Sequence, residues 1–253
     1  MSEPFVLIQL SDLHLGGTWG GDADPRERLT DTVRWIGAHG PRPDAVVVTG
    51  DLADHAADEE YTLVRELLEP LAAPLYVLPG NHDDRAALRR HFAAPGAGAE
   101  PLHAVFELGP LRLVVVDSVR PGEDAGALDG DRLAWIEAAL AEGRDRPTVL
   151  ALHHPPLLTG FAAWDQMLFP EPDREALAAA VAVNPQVLRI VAGHVHRPLA
   201  GTLGGRSVLA APATYVQTDL GTDLSLALTS ERPGYVLHTL RGGELISSVQ
   251  FVS

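Results

Sequence analysis

The 253-residue chain contains no cysteine, and it contains no lysine either, so all 19 of its basic residues are arginine. The first absence excludes disulfides, thiolate metal sites, iron–sulfur clusters and cysteine nucleophiles together. The second excludes Schiff-base chemistry and a phosphate-binding loop built on lysine. Positive charge is scarce overall: 34 acidic residues against 19 basic ones give a net charge of −15. Such a balance argues against nucleic acid and against an anionic membrane as partners. No apolar run reaches the roughly 18 to 20 residues of a membrane span. The start, Met1-Ser-Glu-Pro, has no basic region, and the run 5–10 is too short for a signal-peptide core, so the expected location is the cytoplasm. The remainder is 46% hydrophobic and 21% charged with 24 glycines and 20 prolines, the composition of a soluble globular protein rich in turns. Its length suits an α/β fold made as one domain, residues 1–253.

Apolar, β-rich runs alternate with amphipathic helical stretches: 5–10 then 28–38, 45–49 then 59–71, 75–78 then 85–92. This is the βαβ rhythm of a layered α/β fold. After Pro101 the pattern changes to two neighbouring strands, 104–108 and 111–117, turned by Gly109-Pro110, and then a helix 131–141 with Asp129 as its N-cap. Runs 148–152 and 187–192 read as buried strands with a helix 171–183 between them. From 199 to 253 the pattern is of short strands and Gly-rich turns, expected to close a second sheet, while the first is mixed and helix-covered. The Pro-bounded stretch 160–172, with Phe161, Trp164, Met167 and Phe169, is a long apolar loop that reads either as a lid or as a loop packed on the core.

The residues suited to bind metal stand directly after the apolar strands. They are Ser11-Asp12-Leu13-His14, Gly50-Asp51, Gly80-Asn81-His82-Asp83, His153-His154 and Gly193-His194-Val195-His196. Ligands bind at the carboxyl ends of strands in layered α/β folds, so five strand ends can converge on one cleft. An i, i+2 pair on an extended segment shares one face, which brings Asp12 with His14, and His194 with His196, toward a common centre. Two Asp, one Asn and several neutral imidazoles form a mixed donor set suited to Mn, Fe, Zn or Co; Mg or Ca alone would want oxygen. Seven candidate donors are too many for one tetrahedral ion, and a carboxylate such as Asp51 can bridge two ions about 3.5–4 Å apart, so a binuclear centre is expected. Consecutive strand residues point to opposite faces, so only one of His153 and His154 should be a donor. His39, His55, His91, His103 and His238 lie outside these motifs, and the acidic runs 54–60 and 122–131 read as solvated faces.

As a set, Asp-x-His, Gly-Asp, Gly-Asn-His-Asp, His and Gly-His-x-His resembles the calcineurin-like metallophosphoesterases, in particular their class III cyclic-nucleotide phosphodiesterases and bacterial glycerophosphodiesterases. The motifs span residues 12 to 196. The resemblance implies a four-layer αββα sandwich with two mixed sheets. It assigns Asp12, His14, Asp51 and His196 to one metal, and Asp51 (bridging), Asn81, His153 and His194 to a second, the ions being divalent or of mixed valence. His82 matches the family's non-ligand histidine beside the phosphate, a phosphate-binding group or a general acid. Asp83 either orients His82 or caps the following turn, and Asn81, Arg85, Arg197 and Thr214 are candidate substrate contacts. The segment 211–220 resembles the active-site rim of cyclic-nucleotide members, with Ala213 and Thr214 where glycerophosphodiesterase relatives carry a histidine. The implied reaction is in-line attack of a metal-activated hydroxide on a small phosphodiester, with 3′,5′-cyclic AMP favoured. The alternatives are a glycerophosphodiester or broad mono- and diesterase, and a metal-free scaffold. The oligomeric state is left open, a homodimer being one option.

Overall fold

The computed structural model describes residues 3–219, 227–229 and 231–253. In its first half β1 (Phe5–Leu10), β2 (Ala45–Val48) and β3 (Leu75–Val77) alternate with α1 (Pro25–His39), α2 (Asp58–Leu68) and α3 (Arg85–Phe92). A hairpin of β4 (Ala104–Leu108) and β5 (Leu111–Val115) follows, then α4 (Gly130–Glu142), β6 (Thr148–Ala151), α5 (Ala162–Asp165), α6 (Glu171–Ala182) and β7 (Val187–Ala192). The chain ends in β8 (Leu199–Leu203), β9 (Arg206–Ala210), β10 (Thr218–Asp219), β11 (Ala227–Leu228), β12 (Gly234–Arg241) and β13 (Glu244–Phe251).

Local chemistry accounts for these boundaries. The Asp24 carboxylate accepts the Arg26 N–H ahead of Pro25 at the start of α1, and Asp129 accepts the Arg132 N–H at the start of α4. The β12–β13 hairpin closes on Gly242-Gly243, both with positive φ (58° and 85°), as a two-residue turn matched to strand twist requires.

Two mixed sheets result, ordered β13-β12-β1-β2-β3 and β4-β5-β6-β7-β9-β8, beside a small β10-β11 ribbon. Alternation along the strands sorts the core into layers. Leu113, Val115, Val149, Ala151 and Val191 of the second sheet join the first sheet's core, which α1, α2 and α3 cover on its other face. Val114, Val116, Leu150, Leu152, Ile190 and Ala192 instead pack with Ile136, Leu140, Leu177 and Val181 of α4 and α6. The layers are helix, sheet, sheet, helix.

The C-terminal strands divide between the sheets rather than closing the second alone. β8 and β9 extend the second sheet, whereas β12 pairs antiparallel with β1 and carries β13 outside it. β1 is buried along nearly its whole length, and its edge away from β2 would otherwise leave backbone groups unpaired. The eight residues of β12 supply those partners and bury Tyr235, Val236 and Leu240 in doing so. The stretch 160–172 contains α5, and its Trp164, Leu168 and Phe169 are packed in the second core. Among the described residues no helix is long and apolar enough to cross a membrane.

Candidate metal centre

β1, β2 and β3 run parallel in one sheet, and β6 and β7 run parallel in the other, so their carboxyl ends open on one cleft. Asp12 and His14 follow β1, Asp51 follows β2, Asn81 and His82 follow β3, His153 follows β6, and His194 and His196 follow β7. One donor atom from each of Asp12, His14, Asp51 and His196 lies within 4.8 Å of the others. The pairs do not converge by extension, as the spacing suggests. Asp12 (φ 54°), His14 (45°), Asp51 (52°), His194 (70°) and His196 (48°) all occupy the left-handed region. At about 1–2 kcal/mol for each non-glycine residue, this is strain concentrated where the donors turn inward. Gly50 (φ 94°) precedes Asp51, and a Cβ there would stand 2.3 Å from His153 Nδ1.

Hydrogen bonds on the far side of each imidazole fix its tautomer. His153 Nδ1–H donates to the Thr49 carbonyl (2.8 Å), His196 Nδ1–H to the Val216 carbonyl (2.8 Å) and His14 Nδ1–H to Asp54 Oδ1 (2.9 Å). In the neutral form of these rings the Nε2 atoms therefore carry lone pairs. Those of His14 and His196 face each other at 3.1 Å, and that of His153 faces Asn81 Oδ1 at 3.2 Å and Asp51 Oδ2 at 3.3 Å. Asp51 Oδ2 also lies 3.4 Å from His14 Nε2, which sets this one oxygen between both imidazole groups, while Oδ1 accepts the His82 N–H (3.0 Å). Lone pairs so close repel one another unless a cation lies among them, so the donor set fits divalent ions by its own chemistry. His194 donates Nε2–H to the Met167 carbonyl (3.1 Å), leaving Nδ1 bare. His154 differs: Nε2–H donates to the Asp124 carbonyl (3.0 Å) and Nδ1 accepts from Ser118 (2.8 Å), so neither nitrogen is free.

Charge follows the same division. Burial lowers His196 to about 4 and His154 to about 3, and it holds His14 and His194 below the usual imidazole value as well. Burial opposes the charge of Asp51, yet the facing His153 and His14 rings hold its carboxyl well below the usual range. His153 is raised to about 9, burial being outweighed by Asp51. A cation held by His153 and Asp51 would take the place of that proton. Burial lifts Asp12 to about 6.

His82 stands at the mouth of the cleft with its side chain 36% exposed. Its Nδ1–H donates to the Asp54 carbonyl (3.0 Å), which leaves Nε2 free. Burial works against its charge, but Asp51 and the Asp54 carbonyl hold it above the ordinary imidazole value.

Three expected contacts fall elsewhere. Arg197 pairs with Glu231 and lines a separate cavity with Pro198, Arg232 and Phe251. Thr214 is 1% exposed beneath the site, its backbone N–H bonded to the Ser11 carbonyl. Arg85 is buried in an ion pair with Asp117. Asp83 neither orients His82 nor caps α3, for which Asp84 is the N-cap. Its carboxylate accepts from the backbone of Leu52, Ala53 and Gly80 and from Tyr61 Oη, tying the β2 and β3 loops together. Leu220, which ends the 211–220 rim segment, lies outside the described residues.

Sequence reasoning missed two groups. Asp54, assigned to a solvated run, has a side chain only 7% exposed, and its Oδ1 accepts from both His14 and Trp19 Nε1–H (2.9 Å each). The spacing Gly50-Asp51-x-x-Asp54 was the available signal. His238 is fully buried behind the centre, bonded to Gln9, which in turn donates to Thr49 Oγ1 and the Ala192 carbonyl. Nothing local in the sequence marks it.

A family model for calcineurin-like phosphoesterases matches residues 5–198. A probable glycerophosphodiester phosphodiesterase of Arcobacter nitrofigilis is 34% identical over 241 residues, 92% of this chain and 88% of the relative. A cAMP/cGMP dual specificity phosphodiesterase of Mycobacterium tuberculosis is 36% identical over 223 residues, 85% of this chain and 69% of the relative. Among solved structures, a dimetal phosphatase from Danio rerio aligns over 99% of this chain and 100% of its own, with a TM-score of 0.70 at 18% identity, a likeness of fold.

Proposed function

Because the chain belongs to the calcineurin-like phosphoesterase family, we propose that it is a two-metal phosphodiesterase acting on small diesters, with 3′,5′-cyclic AMP the favoured substrate. Phosphodiester hydrolysis is the activity its named relatives share, and the clustered Asp and His side chains suit divalent ions. The observation that carries the reading is the placement of Asp51 Oδ2, 3.4 Å from His14 Nε2 and 3.3 Å from His153 Nε2, where one carboxylate oxygen serves two imidazole groups at once.

Asp12, His14, Asp51 and His196 would hold one ion, and Asp51, Asn81, His153 and His194 the other; Mn, Fe, Zn and Co all suit such nitrogen and oxygen donors. When bound, a pair of such ions neutralises phosphoryl oxygens and acidifies water enough to ionise near neutral pH. The protein's own groups do the rest. The Asp54 carboxylate and the Thr49 and Val216 carbonyls fix three imidazoles in one tautomer, so no reorientation accompanies metal binding. His82, held through Nδ1, presents Nε2 to the cleft, where it donates to a non-bridging phosphoryl oxygen or hands its proton to the leaving alkoxide. Trp19, Trp164, Met167 and Leu228 line the same cavity of about 490 Å³ and give a purine apolar surface to stack on.

A glycerophosphodiester substrate is the second reading, favoured by the relative aligned over 88% of its own length. Comparing kcat/KM for cyclic AMP, glycerophosphocholine and bis(p-nitrophenyl) phosphate on metal-loaded protein tests the choice, because discrimination resides in that ratio. A preference for cyclic AMP is expected. A preference for glycerophosphocholine moves the substrate to lipid-derived diesters.

A further inference from the structure

The cavity opening from the donor set has an uneven charge distribution. Among the described residues that line it there is no arginine, and the chain has no lysine. Beyond the donor set and His82, the one ionisable residue among the described ones that line it is Asp124, which is exposed. Its position is built rather than incidental. The Asp124 carbonyl accepts Nε2–H of His154 (3.0 Å), whose Nδ1 is bonded to Ser118 (2.8 Å). Gly126 lies so close on that ring that a Cβ would stand 2.7 Å from it. The histidine excluded from the donor set thus anchors the loop carrying the rim acid. Across the cleft Trp19 is fixed by its bond to Asp54, and Trp164 is packed in the second core.

On the phosphodiesterase reading, we propose that this wall selects substrates by charge. It admits a diester that carries one phosphate charge and whose substituents are neutral or cationic, and Asp124 disfavours any further negative charge, that of a monoester included. Apart from His82, the described residues of the wall offer no side-chain cation to neutralise a second charge, whereas the indole faces accept rings and cations alike. The overall charge of −15 acts in the same direction at longer range.

The test compares metal-loaded wild type and Asp124→Asn on p-nitrophenyl phosphate and bis(p-nitrophenyl) phosphate, which share a leaving group and differ by one negative charge. Wild type favours the diester. In Asp124→Asn the monoester-to-diester ratio of kcat/KM rises about threefold or more, the Coulomb factor for one charge several ångströms away. Asp124→Ala gives the same rise, Asp124→Glu keeps the wild-type ratio, and added salt narrows the difference. Calorimetric titration with inorganic phosphate reads the effect without turnover, phosphate binding tighter to Asp124→Asn than to wild type. An unchanged ratio in both neutral variants, with unchanged phosphate affinity, overturns the proposal. Should loaded wild type hydrolyse neither ester, the phosphodiesterase reading fails instead, and the phosphate titration still decides the role of Asp124.

Discussion

Asn81 and His82 are neighbours in sequence, and the proposed mechanism gives them separable roles. Asn81 Oδ1 lies 3.2 Å from His153 Nε2, while His82 spends Nδ1 on the Asp54 carbonyl and keeps Nε2 for the cleft. Replacing Asn81 with Ala is expected to lower metal content from two ions per chain toward one, read by elemental analysis after dialysis. His82→Ala should retain both ions and lose about 10²-fold or more in kcat, the range for a positioned proton donor. Loss of metal from the His82 variant would reject that division of labour. At this scale the sequence was largely legible, because donor residue types stood directly after apolar strands. Choosing between His153 and His154 was not, since it depends on Thr49 on one side and on Ser118 and Asp124 on the other. Arg197 was misread for a similar reason: its partner Glu231 lies 34 residues away.

The strands of the first half and their connecting helices followed from periodicity, and so did the hairpin turn at Gly109-Pro110. The destination of β12 did not. A pattern of alternating burial says that a strand exists, and only the open edge of β1 says where it goes. That insertion also creates the buried polar link between the sheets: Ser247 donates to His238 Nδ1 (2.7 Å), His238 Nε2–H to Gln9 (3.1 Å), and Gln9 to the Ala192 carbonyl of β7 (2.8 Å). Burial lowers His238 from 6.5 to about 3. Because the folded value is the lower one, the unfolded chain takes up the proton first. The stability that neutral His238 contributes is therefore complete above about pH 6.5 and is lost as the pH falls toward about 3. Urea midpoints between pH 7 and pH 4 should fall less steeply in His238→Gln than in wild type, a difference on the order of 3 kcal/mol at pH 4. Parallel slopes would mean that His238 does not titrate in this way.

The proposed donors come from both halves of the sandwich: Asp12, His14, Asp51 and Asn81 from the first sheet, and His153, His194 and His196 from the second. Metal held by this set would tie the sheets together and stabilise the folded chain by mass action. Chelation is expected to lower Tm by about 5–15 °C, from roughly 4 kcal/mol of binding free energy at a thousandfold excess over Kd, with unfolding still a single transition. Separate transitions for the two halves would contradict a shared centre. Titrating metal-depleted protein with Mn²⁺ while following both bound metal and hydrolysis of bis(p-nitrophenyl) phosphate tests the account most directly. Hydrolysis should be absent in chelator, should rise as ions bind, and should level off at two ions per chain. Hydrolysis that persists in chelator, or that is still absent with two ions bound, would contradict it.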